Sequence, residues 1–344
     1  MRVPGLKTVR SFAARLRARV RPGGIILLYH RIADTDCDPW GNCVSPARFE
    51  QHLEVLRRLA HPCRLAEIVD SVRRGENVSG KVALTFDDGY ADNYHIAKPS
   101  LHATGTPATF FLVSDRTGSL DSYWWDELAD ILLCAGRLPE SLSGVFVGPD
   151  QELQLGDAVE YSPSDRRADR DIRAWEARPG SRLAFYYHVW SRLRPLRDKE
   201  RSLALEKIRA WASRSPSRPA APITITAPEA NSLAAEGLVE IGSHSKSHAS
   251  LPDLSPSEQR QELADSKAAL EEVIGRPVRS FAYPYGSCGR ETPGLLRDAG
   301  YTSACTVVHG HVRSSDDPFL LPRITVSDSN GDEFERRLFR FLGL

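Results

Sequence analysis

The sequence lacks long apolar runs, an excess of charge and paired-cysteine motifs, and each absence excludes a class of protein. Although 41% of the 344 residues are apolar, no stretch approaches the roughly 18 residues that a membrane span needs. The 45 basic and 45 acidic side chains cancel, so net charge gives no reason to expect nucleic acid as a partner. We therefore expect a globular chain with a full core, built as one large domain or two smaller ones.

The six cysteines form neither a CxxC pair nor a zinc-finger spacing. We interpret most of them as reduced thiols. Cys37 and Cys43 lie in one predicted loop, and they are the pair expected to bridge if the compartment is oxidising.

The first 22 residues contain seven basic side chains and no acidic one. They lack the continuous apolar core of a secretory signal, and from that absence we expect a cytoplasmic protein. Val9, Phe12, Leu16 and Val20 fall near helical spacing. Two interpretations stay open: a solvated terminal helix, or a basic amphipathic helix lying on the anionic inner face of a membrane as a peripheral contact.

Short apolar runs alternate with helical patterns through most of the chain, which predicts an α/β fold. Runs such as GIILLYH (24–30) and KVALTF (81–86) are typical of buried strands. Such alternation indicates a parallel sheet, and the number of units favours a barrel. An arginine-rich, mostly helical block interrupts the pattern. We therefore divide the chain into a basic segment (1–22), a barrel (23–115 and 223–344) and an insertion (116–222).

Polar side chains follow four of the predicted strands at the point where each strand ends. They are Tyr29-His30, Asp87-Asp88, Ser243-His244 and Pro284-Tyr285. Because the carboxyl ends of parallel strands meet at one face, where barrel enzymes hold their catalytic groups, we expect these residues to lie together. Their shared position predicts an active site more strongly than any one of them does.

His244 and His248 are four residues apart and could bind one metal ion from the same face of a helical turn. Two histidines and one carboxylate, with a position left open for water, form the usual layout of a catalytic zinc site. An isolated HxxxH is weak evidence, because most such pairs are unrelated surface histidines. Here the pair follows a predicted strand and accompanies a TFDD motif, which favours the metal site.

Three motifs, TFDDGY (85–90), SHSKSH (243–248) and FAYPYG (281–286), resemble the first three motifs of the polysaccharide deacetylases, carbohydrate esterase family 4 with its NodB-type domain. They occur in the family's order, and the likeness covers residues 24–115 and 223–327. The resemblance implies a distorted (β/α) barrel that hydrolyses the N-acetyl groups of amino sugars.

The resemblance also implies roles for individual residues. By motif position, Asp87 matches the general base, and Asp88, His244 and His248 match the metal ligands. The position of Tyr285 implies that its backbone N–H binds the oxyanion. The implied cofactor is a divalent metal, with zinc favoured and cobalt, nickel, manganese or iron as alternatives. Such an ion polarises a carbonyl and lowers the pKa of its water to about 7, which helps amide hydrolysis.

The chain departs from the family pattern in two ways. The usual RPPYG motif reads AYPYG, so Ala282 replaces the arginine that orients the base; Arg323 could take that role or form a purely structural ion pair. The late histidine that serves as the acid is absent from LLPRITV. His30 is the predicted general acid, with His309 and His311 as alternatives. This arrangement resembles the exopolysaccharide deacetylases, which carry YH on an early strand and FAYPYG later.

Tyr90, Tyr283 and Tyr285 are predicted to line a sugar subsite, whereas Trp124 and Trp125 are predicted to belong to a core. The predicted function is N-deacetylation of an amino sugar in a polysaccharide or in its nucleotide- or lipid-linked precursor. The alternatives are another amide hydrolase on the same scaffold, such as a deformylase or cyclic imide hydrolase, and an inactive glycan-binding domain. The expected partner is an N-acetylated glycan or glycan precursor, not nucleic acid.

Overall fold

The structure, a computed structural model, describes residues 23–134, 136–146, 152–215 and 219–343. The basic segment predicted at residues 1–22 lies outside the described residues. Across the described ranges, no helix combines the length and the apolar character that a membrane crossing requires.

The chain divides into two compact units. The first contains the described residues up to Ala33, then Val44–Thr117, then the chain from Ile225 onward. The second contains Asp34–Cys43 and Gly118–Thr224. The borders at 117 and 224 lie within two residues of the predicted ones. The loop Asp34–Cys43, which the predicted division includes in the barrel, belongs to the second unit by its contacts: Trp40 packs on Trp190, with ring centroids 4.4 Å apart.

Seven parallel strands of the described chain form a closed barrel in the first unit. Strand β1 pairs with β2 along its full length, and Leu27 of β1 also lies opposite Ile324 of β7, which closes the ring. In chain order the strands are β1 Ile25–Tyr29, β2 Lys81–Phe86, β3 Ala108–Leu112, β4 Val239–Ser243, β5 Ser280–Ala282, β6 Ser303–His309 and β7 Leu321–Thr325. A short strand, His61–Pro62, adds to the start of β2. Two further short strands, Arg31–Ile32 and Cys43–Val44, flank the loop that belongs to the second unit.

Helices follow most of these strands. They are α1 Pro46–Leu59, α2 Leu65–Arg74, α3 Lys98–Thr104, α4 Ala227–Glu236, α5 Pro256–Ile274, α6 Thr292–Asp298 and α7 Gly331–Leu342. Thr226 and Ser255 cap the starts of α4 and α5, since each side chain accepts a hydrogen bond from the backbone N–H three residues later. Gly105, Gly237 and Gly275 end α3, α4 and α5 in left-handed conformations.

Alternate side chains of each strand face opposite sides of the barrel wall. Ile26, Ala83, Phe111, Ala282 and Cys305 point inward and form one apolar cluster with the buried face of α2. Helix α2 therefore closes the end of the barrel where the strands begin. The intervening residues point outward and pack in a larger cluster with α1, α4, α5 and α7.

The second unit has its own core, of which Leu128, Tyr186 and Ile208 are members. Its helices are Trp124–Leu132, Pro163–Asp169, Arg182–Leu193 and Asp198–Trp211. Two antiparallel ribbons join Gly136–Arg137 with Glu160–Tyr161 and Ser141–Ser143 with Glu152–Gln154. Trp125 is 9% exposed and stacks on Tyr123, and Trp124 packs against the same core, which confirms the core assignment of both tryptophans.

Candidate active site

The predicted site residues meet at the carboxyl end of the barrel strands. Asp87 and Asp88 follow β2, His244 follows β4, and Tyr285 lies just beyond β5. His30 follows β1, and Arg323 lies on β7. The two-residue alternation explains their convergence: Asp87 has the inward orientation of Ala83, and Arg323 has that of Leu321.

Asp88, His244 and His248 form a compact group of buried donor atoms. Oδ1 of Asp88 lies 3.4 Å from Nε2 of His244 and 3.3 Å from Nε2 of His248. The three ligand atoms lie within 4.8 Å of one another, and no other group of this kind occurs in the part of the chain that the structure describes. The predicted metal ligands are therefore brought together.

The orientation of His244 is fixed from behind. Its Nδ1 lies 2.8 Å from the carbonyl oxygen of Ala282. A ring nitrogen facing a carbonyl oxygen must carry the proton, so Nε2 is the atom left to face Asp88. Such a partner for the second ring nitrogen is common among metal-binding histidines.

The backbone around this group is strained. Four non-glycine residues adopt left-handed conformations: Asp88 (φ 69°), Ser245 (φ 65°), His248 (φ 61°) and Tyr285 (φ 58°). Only one other described non-glycine residue, Ser213, has a positive φ. Each such conformation costs about 1–3 kcal/mol and persists only where the surroundings impose it. The clustering of these residues at one end of the barrel marks it as a functional site.

Gly89 completes the turn after the two aspartates. Its φ is 64°, and a Cβ at this position would lie 2.6 Å from Cδ2 of Leu112. Both the backbone conformation and the close approach of β3 therefore favour glycine here.

Glu262 on α5 holds the loop that carries the two histidines. Its carboxylate accepts hydrogen bonds from the backbone N–H groups of Lys246 and Ser247, each at 3.0 Å, and from the Ser247 hydroxyl at 2.8 Å. The Ser245 hydroxyl accepts a further bond from the His248 N–H at 3.0 Å. Consecutive N–H groups that converge on an anion form a nest, and here the protein's own carboxylate fills it.

Asp87 is clamped by Arg323. The guanidinium donates two parallel hydrogen bonds to the carboxylate, at 2.8 and 2.7 Å. Arg323 is fully buried, and its Nε donates to the Thr306 carbonyl oxygen at 2.8 Å. A bidentate pair of this kind fixes the plane of the carboxylate. The structure thus places Arg323 where it can orient Asp87, in the absence of an arginine at Ala282.

The charges of the site are strongly coupled. Burial alone raises the pKa of Asp88, but its hydrogen bonds with His244 and His248 outweigh burial and hold the pKa well below its usual value. Burial lowers the pKa of His244, but Asp87 and Asp88 outweigh it and raise that pKa. Two adjacent buried carboxylates thus stay ionised only with positive charge beside them. Protons on the imidazoles or a bound cation can supply that charge, and ligands give up protons when a metal binds.

His30 lies among these charges. It shares the inward orientation of Ile26 and Leu28 on β1. Burial lowers the pKa of its imidazole, and the carboxylates of Asp88 and Asp87 only partly oppose this. Its Nδ1 is buried without a hydrogen-bond partner among the described residues. A buried polar atom without a partner is costly, which is consistent with a group that meets substrate or water during function.

The two alternative acids lie elsewhere. His311 directs Nε2 at the Phe341 carbonyl oxygen, 2.9 Å away. His309 is exposed at the end of β6, with its ring 5.7 Å from that of Phe341. His30, in contrast, lies close enough to Asp87 and Asp88 for both carboxylates to act on its pKa.

Two of the predicted sugar-binding tyrosines need correction. Tyr283 is fully buried in the outer core, and its hydroxyl donates to the Phe319 carbonyl oxygen at 2.9 Å. It shares the outward orientation of Phe281, so it cannot line the site. Tyr90 is 3% exposed, and the Arg31 guanidinium covers its ring at 4.6 Å. Tyr285, in contrast, is partly exposed and packs edge-on against His248 at 4.6 Å.

A family model described as polysaccharide deacetylase matches residues 74–132 and 209–304. These ranges contain both aspartates and both histidines of the site, but neither His30 nor Arg323. YxkH of Bacillus subtilis (strain 168), whose own assignment as a polysaccharide deacetylase is provisional, is 29% identical over 89 residues. That alignment covers 26% of this chain and spans 32% of the relative's length.

Solved structures match over nearly the whole chain. IcaB from Ammonifex degensii is 18% identical, with a TM-score of 0.56 over 94% of this chain and 98% of that one. A Streptococcus pyogenes deacetylase, PplD, in complex with acetate is 16% identical, with a TM-score of 0.52 over 91% and 97% of the two chains. At these identities the likeness establishes the fold, the predicted NodB-type (β/α) barrel.

Proposed function

We propose that this chain, which belongs to the polysaccharide deacetylase family, is a metal-dependent hydrolase that removes acetyl groups from N-acetylated amino sugars. Its substrate is a polysaccharide or a nucleotide- or lipid-linked precursor. The observation that carries the proposal is the meeting of Asp88, His244 and His248 beside a carboxylate, Asp87, that Arg323 holds in a fixed plane.

The donor atoms suit a small divalent ion. Bonds of about 2.0–2.1 Å in a tetrahedral arrangement require donors about 3.3 Å apart. Nε2 of each histidine lies 3.3–3.4 Å from Oδ1 of Asp88. Two imidazoles and one carboxylate are a donor set that zinc accepts, and cobalt, nickel, manganese or iron accept imidazole or carboxylate ligands as well. Asp88, His244 and His248 would hold the ion.

Each remaining residue of the site has a separate role in the proposed hydrolysis. A bound divalent ion supplies Lewis-acid polarisation of the acetyl carbonyl and makes water more acidic. Asp87 accepts the proton of the attacking water, and Arg323 keeps its carboxylate aimed and ionised. The backbone N–H of Tyr285 donates a hydrogen bond to the developing oxyanion.

His30 donates a proton to the departing amine. Because burial lowers the pKa of His30, its imidazole is expected to be neutral before substrate binds. The proton that Asp87 takes from the attacking water therefore has to reach His30 before the amine departs, so that both residues return to their starting states at the end of the turnover.

Acetate release tests the proposal. We expect purified, zinc-loaded protein to release acetate from at least one member of a panel of free, nucleotide-linked, lipid-linked and polymeric N-acetyl sugars. The variant Asp87→Asn should keep its zinc and lose this activity. Release of formate from N-formyl sugars, or opening of cyclic imides, without acetate release would assign another amide hydrolysis to the site. Glycan binding with neither metal nor turnover would make the chain a binding domain.

The cellular location is also part of the proposal. A cytoplasmic protein at the inner membrane face would meet nucleotide- or lipid-linked precursors before a finished polymer. Fractionation of the native host should recover the protein on the cytoplasmic side, and recovery outside the cell would contradict this part of the proposal.

A further inference from the structure

The barrel end opposite the active site contains a cavity of about 420 Å³. Helix α2 forms one wall of the cavity, and the first residues of β4, β5 and β6 form another. Its charged lining residues are Arg64, Arg73, Arg276, Arg279, Asp70 and Glu240. The four arginines outnumber the two carboxylates, so the cavity carries an excess of positive charge.

Two of these arginines make contacts that stabilise the fold. Arg276 donates to the Ala234 carbonyl oxygen near the end of α4, where a cation is favourable. Arg64 lies 3.9 Å from the Glu240 carboxylate. Burial raises the pKa of Glu240, and Arg64 partly opposes that effect.

The other two arginines make no stabilising contact of this kind. Arg73 and Arg279 are exposed, and neither side chain makes an ion pair or a hydrogen bond with another described residue. With Arg64 set against Glu240, the remaining three arginines and Asp70 leave the cavity a formal net charge of +2. Guanidinium groups in this state favour phosphate, which they bind with paired N–H donors.

The described chain begins at this same end of the barrel. Gly24 exchanges two backbone hydrogen bonds with Val312, at 2.9 and 2.8 Å. Val312 packs in the cluster that α2 closes. Residues 1–22 carry seven of the 45 basic side chains and none of the 45 acidic ones, so the rest of the chain has a formal excess of seven acidic side chains. An acidic body can approach an anionic surface only through a locally basic face.

We propose that this end of the barrel is a docking surface for an anionic phospholipid membrane, with Arg73 and Arg279 binding lipid phosphates. The surface consists of the cavity rim on α2 and the segment around Arg279. Basic side chains next to a membrane bind anionic lipid by electrostatic attraction. Residues 1–22, which contain seven basic side chains, join the described chain at this same end.

The proposal fixes how the barrel stands on the membrane. A strand rises about 3.3 Å per residue and is tilted by about 40° in a barrel. The six residues of β2 therefore separate the docking surface from Asp87 by roughly 15 Å along the barrel axis. The active site then opens away from the lipid. If the proposed deacetylase function holds, the substrate sugar is carried in solution or on a chain that reaches at least that far from the membrane.

Co-sedimentation of the full chain with lipid vesicles tests the docking surface. We expect binding to vesicles of phosphatidylcholine mixed with phosphatidylglycerol, weak binding to phosphatidylcholine alone, and a loss of binding as salt is raised. Each basic residue at an anionic surface contributes about fivefold to binding. The double variant Arg73→Glu with Arg279→Glu should therefore bind at least about 25-fold more weakly. The exposed pair Arg290→Glu with Arg336→Glu, which changes the charge equally outside the cavity, should bind like the unmodified chain.

Two results would overturn the proposal. The first is equal vesicle binding by the cavity variant and the unmodified chain, because residues 1–22 would then account for all of the binding. The second is failure of the unmodified chain to bind phosphatidylglycerol vesicles. If inorganic phosphate then raises the melting temperature in a manner that depends on Arg73 and Arg279, the cavity binds a soluble anion instead. Neither readout involves deacetylation, so failure here and failure of the proposed enzyme function remain distinguishable.

Discussion

The two ends of the barrel use the same residue type in opposite ways. At the carboxyl end, Arg323 is fully buried and both of its terminal nitrogens bond to Asp87. At the amino end, Arg73 and Arg279 are exposed and without an ionic partner among the described residues. The first arrangement fixes one side chain in one geometry, and the second leaves side chains free to meet a ligand.

The backbone differs between the ends as well. The left-handed residues Asp88, Ser245, His248 and Tyr285 all lie at the carboxyl end. The amino end is closed by α2, whose apolar face fills the barrel. Parallel strands thus separate a strained, polar end from an end that contributes core. Substitutions at the carboxyl end should therefore impair chemistry, and those at the amino end should not.

The largest effect should come from Asp88→Asn. An amide is a poor ligand for zinc and removes the charge that both histidines face, so we expect bound zinc to be lost and acetate release to fall to background, at least 1,000-fold. Metal analysis and an acetate assay on the same sample check this. Asp317→Asn, a change of the same type at an exposed ion pair, is the control and should keep both properties.

Arg323→Met should destabilise the fold by about 3 kcal/mol, because it leaves the Asp87 carboxylate buried without its partner. Arg279→Met, the matched change at the other end, should cost less than about 0.5 kcal/mol. Urea unfolding of both variants measures the difference. Equal stabilities would mean that the two ends do not differ in the way their charges are compensated.

Glu262→Gln should weaken zinc binding by about 10–100-fold, the usual range for residues that support metal ligands. The amide retains one oxygen for the N–H groups of Lys246 and Ser247 but loses the charge. Zinc competition with a chelator measures the affinity, and circular dichroism checks the fold. Unchanged affinity would make Glu262 a structural residue of α5 only.

The smallest expected effect concerns His52, which lies against the outer face of β1. Tyr29, next to His30 but facing outward, lies 3.3 Å from His52, whose other ring nitrogen faces the Ser329 carbonyl oxygen at 2.8 Å. Burial lowers the pKa of His52 to about 4. Below pH 6.5 the unfolded chain binds the proton more tightly than the folded one, so stability falls as the pH drops towards 4.

At pH 5 the loss of stability due to His52 should be about 2 kcal/mol. His52→Gln should reduce the difference in unfolding free energy between pH 7.5 and pH 5 by about that amount. The exposed His61→Gln should leave the difference unaltered. An undiminished difference in His52→Gln would assign the acid sensitivity to other groups.

Much of the site could be predicted because its residues occur in short local motifs. Asp87-Asp88 and the His244 to His248 pair each follow a strand, and strand ends converge in a parallel barrel whatever the loops do. Their roles remain predictions until variants are measured. The position of Arg323 was also accessible, since it follows an inward-facing position on β7.

The errors have identifiable causes. Tyr283 was placed at the substrate because of its motif, although its spacing of two from Phe281 indicates the outer core. Tyr90 is buried by Arg31, a contact between residues 59 positions apart that no local pattern specifies. Glu262 was missed because it binds backbone N–H groups, which carry no sequence signal. The predicted division and the observed one differ at the loop Asp34–Cys43 because Trp40 packs against residues far along the chain, such as Trp190.

The central claim is that Asp88, His244 and His248 hold one divalent ion beside Asp87. Equilibrium dialysis against zinc, followed by metal analysis and X-ray absorption spectroscopy, tests this claim most directly. We predict one zinc per chain, with two imidazole ligands, in the unmodified chain and in Asp87→Asn, and no stoichiometric zinc in Asp88→Asn or His248→Ala. Zinc retained at full occupancy in both of the latter variants, or absent from the unmodified chain, would contradict the account.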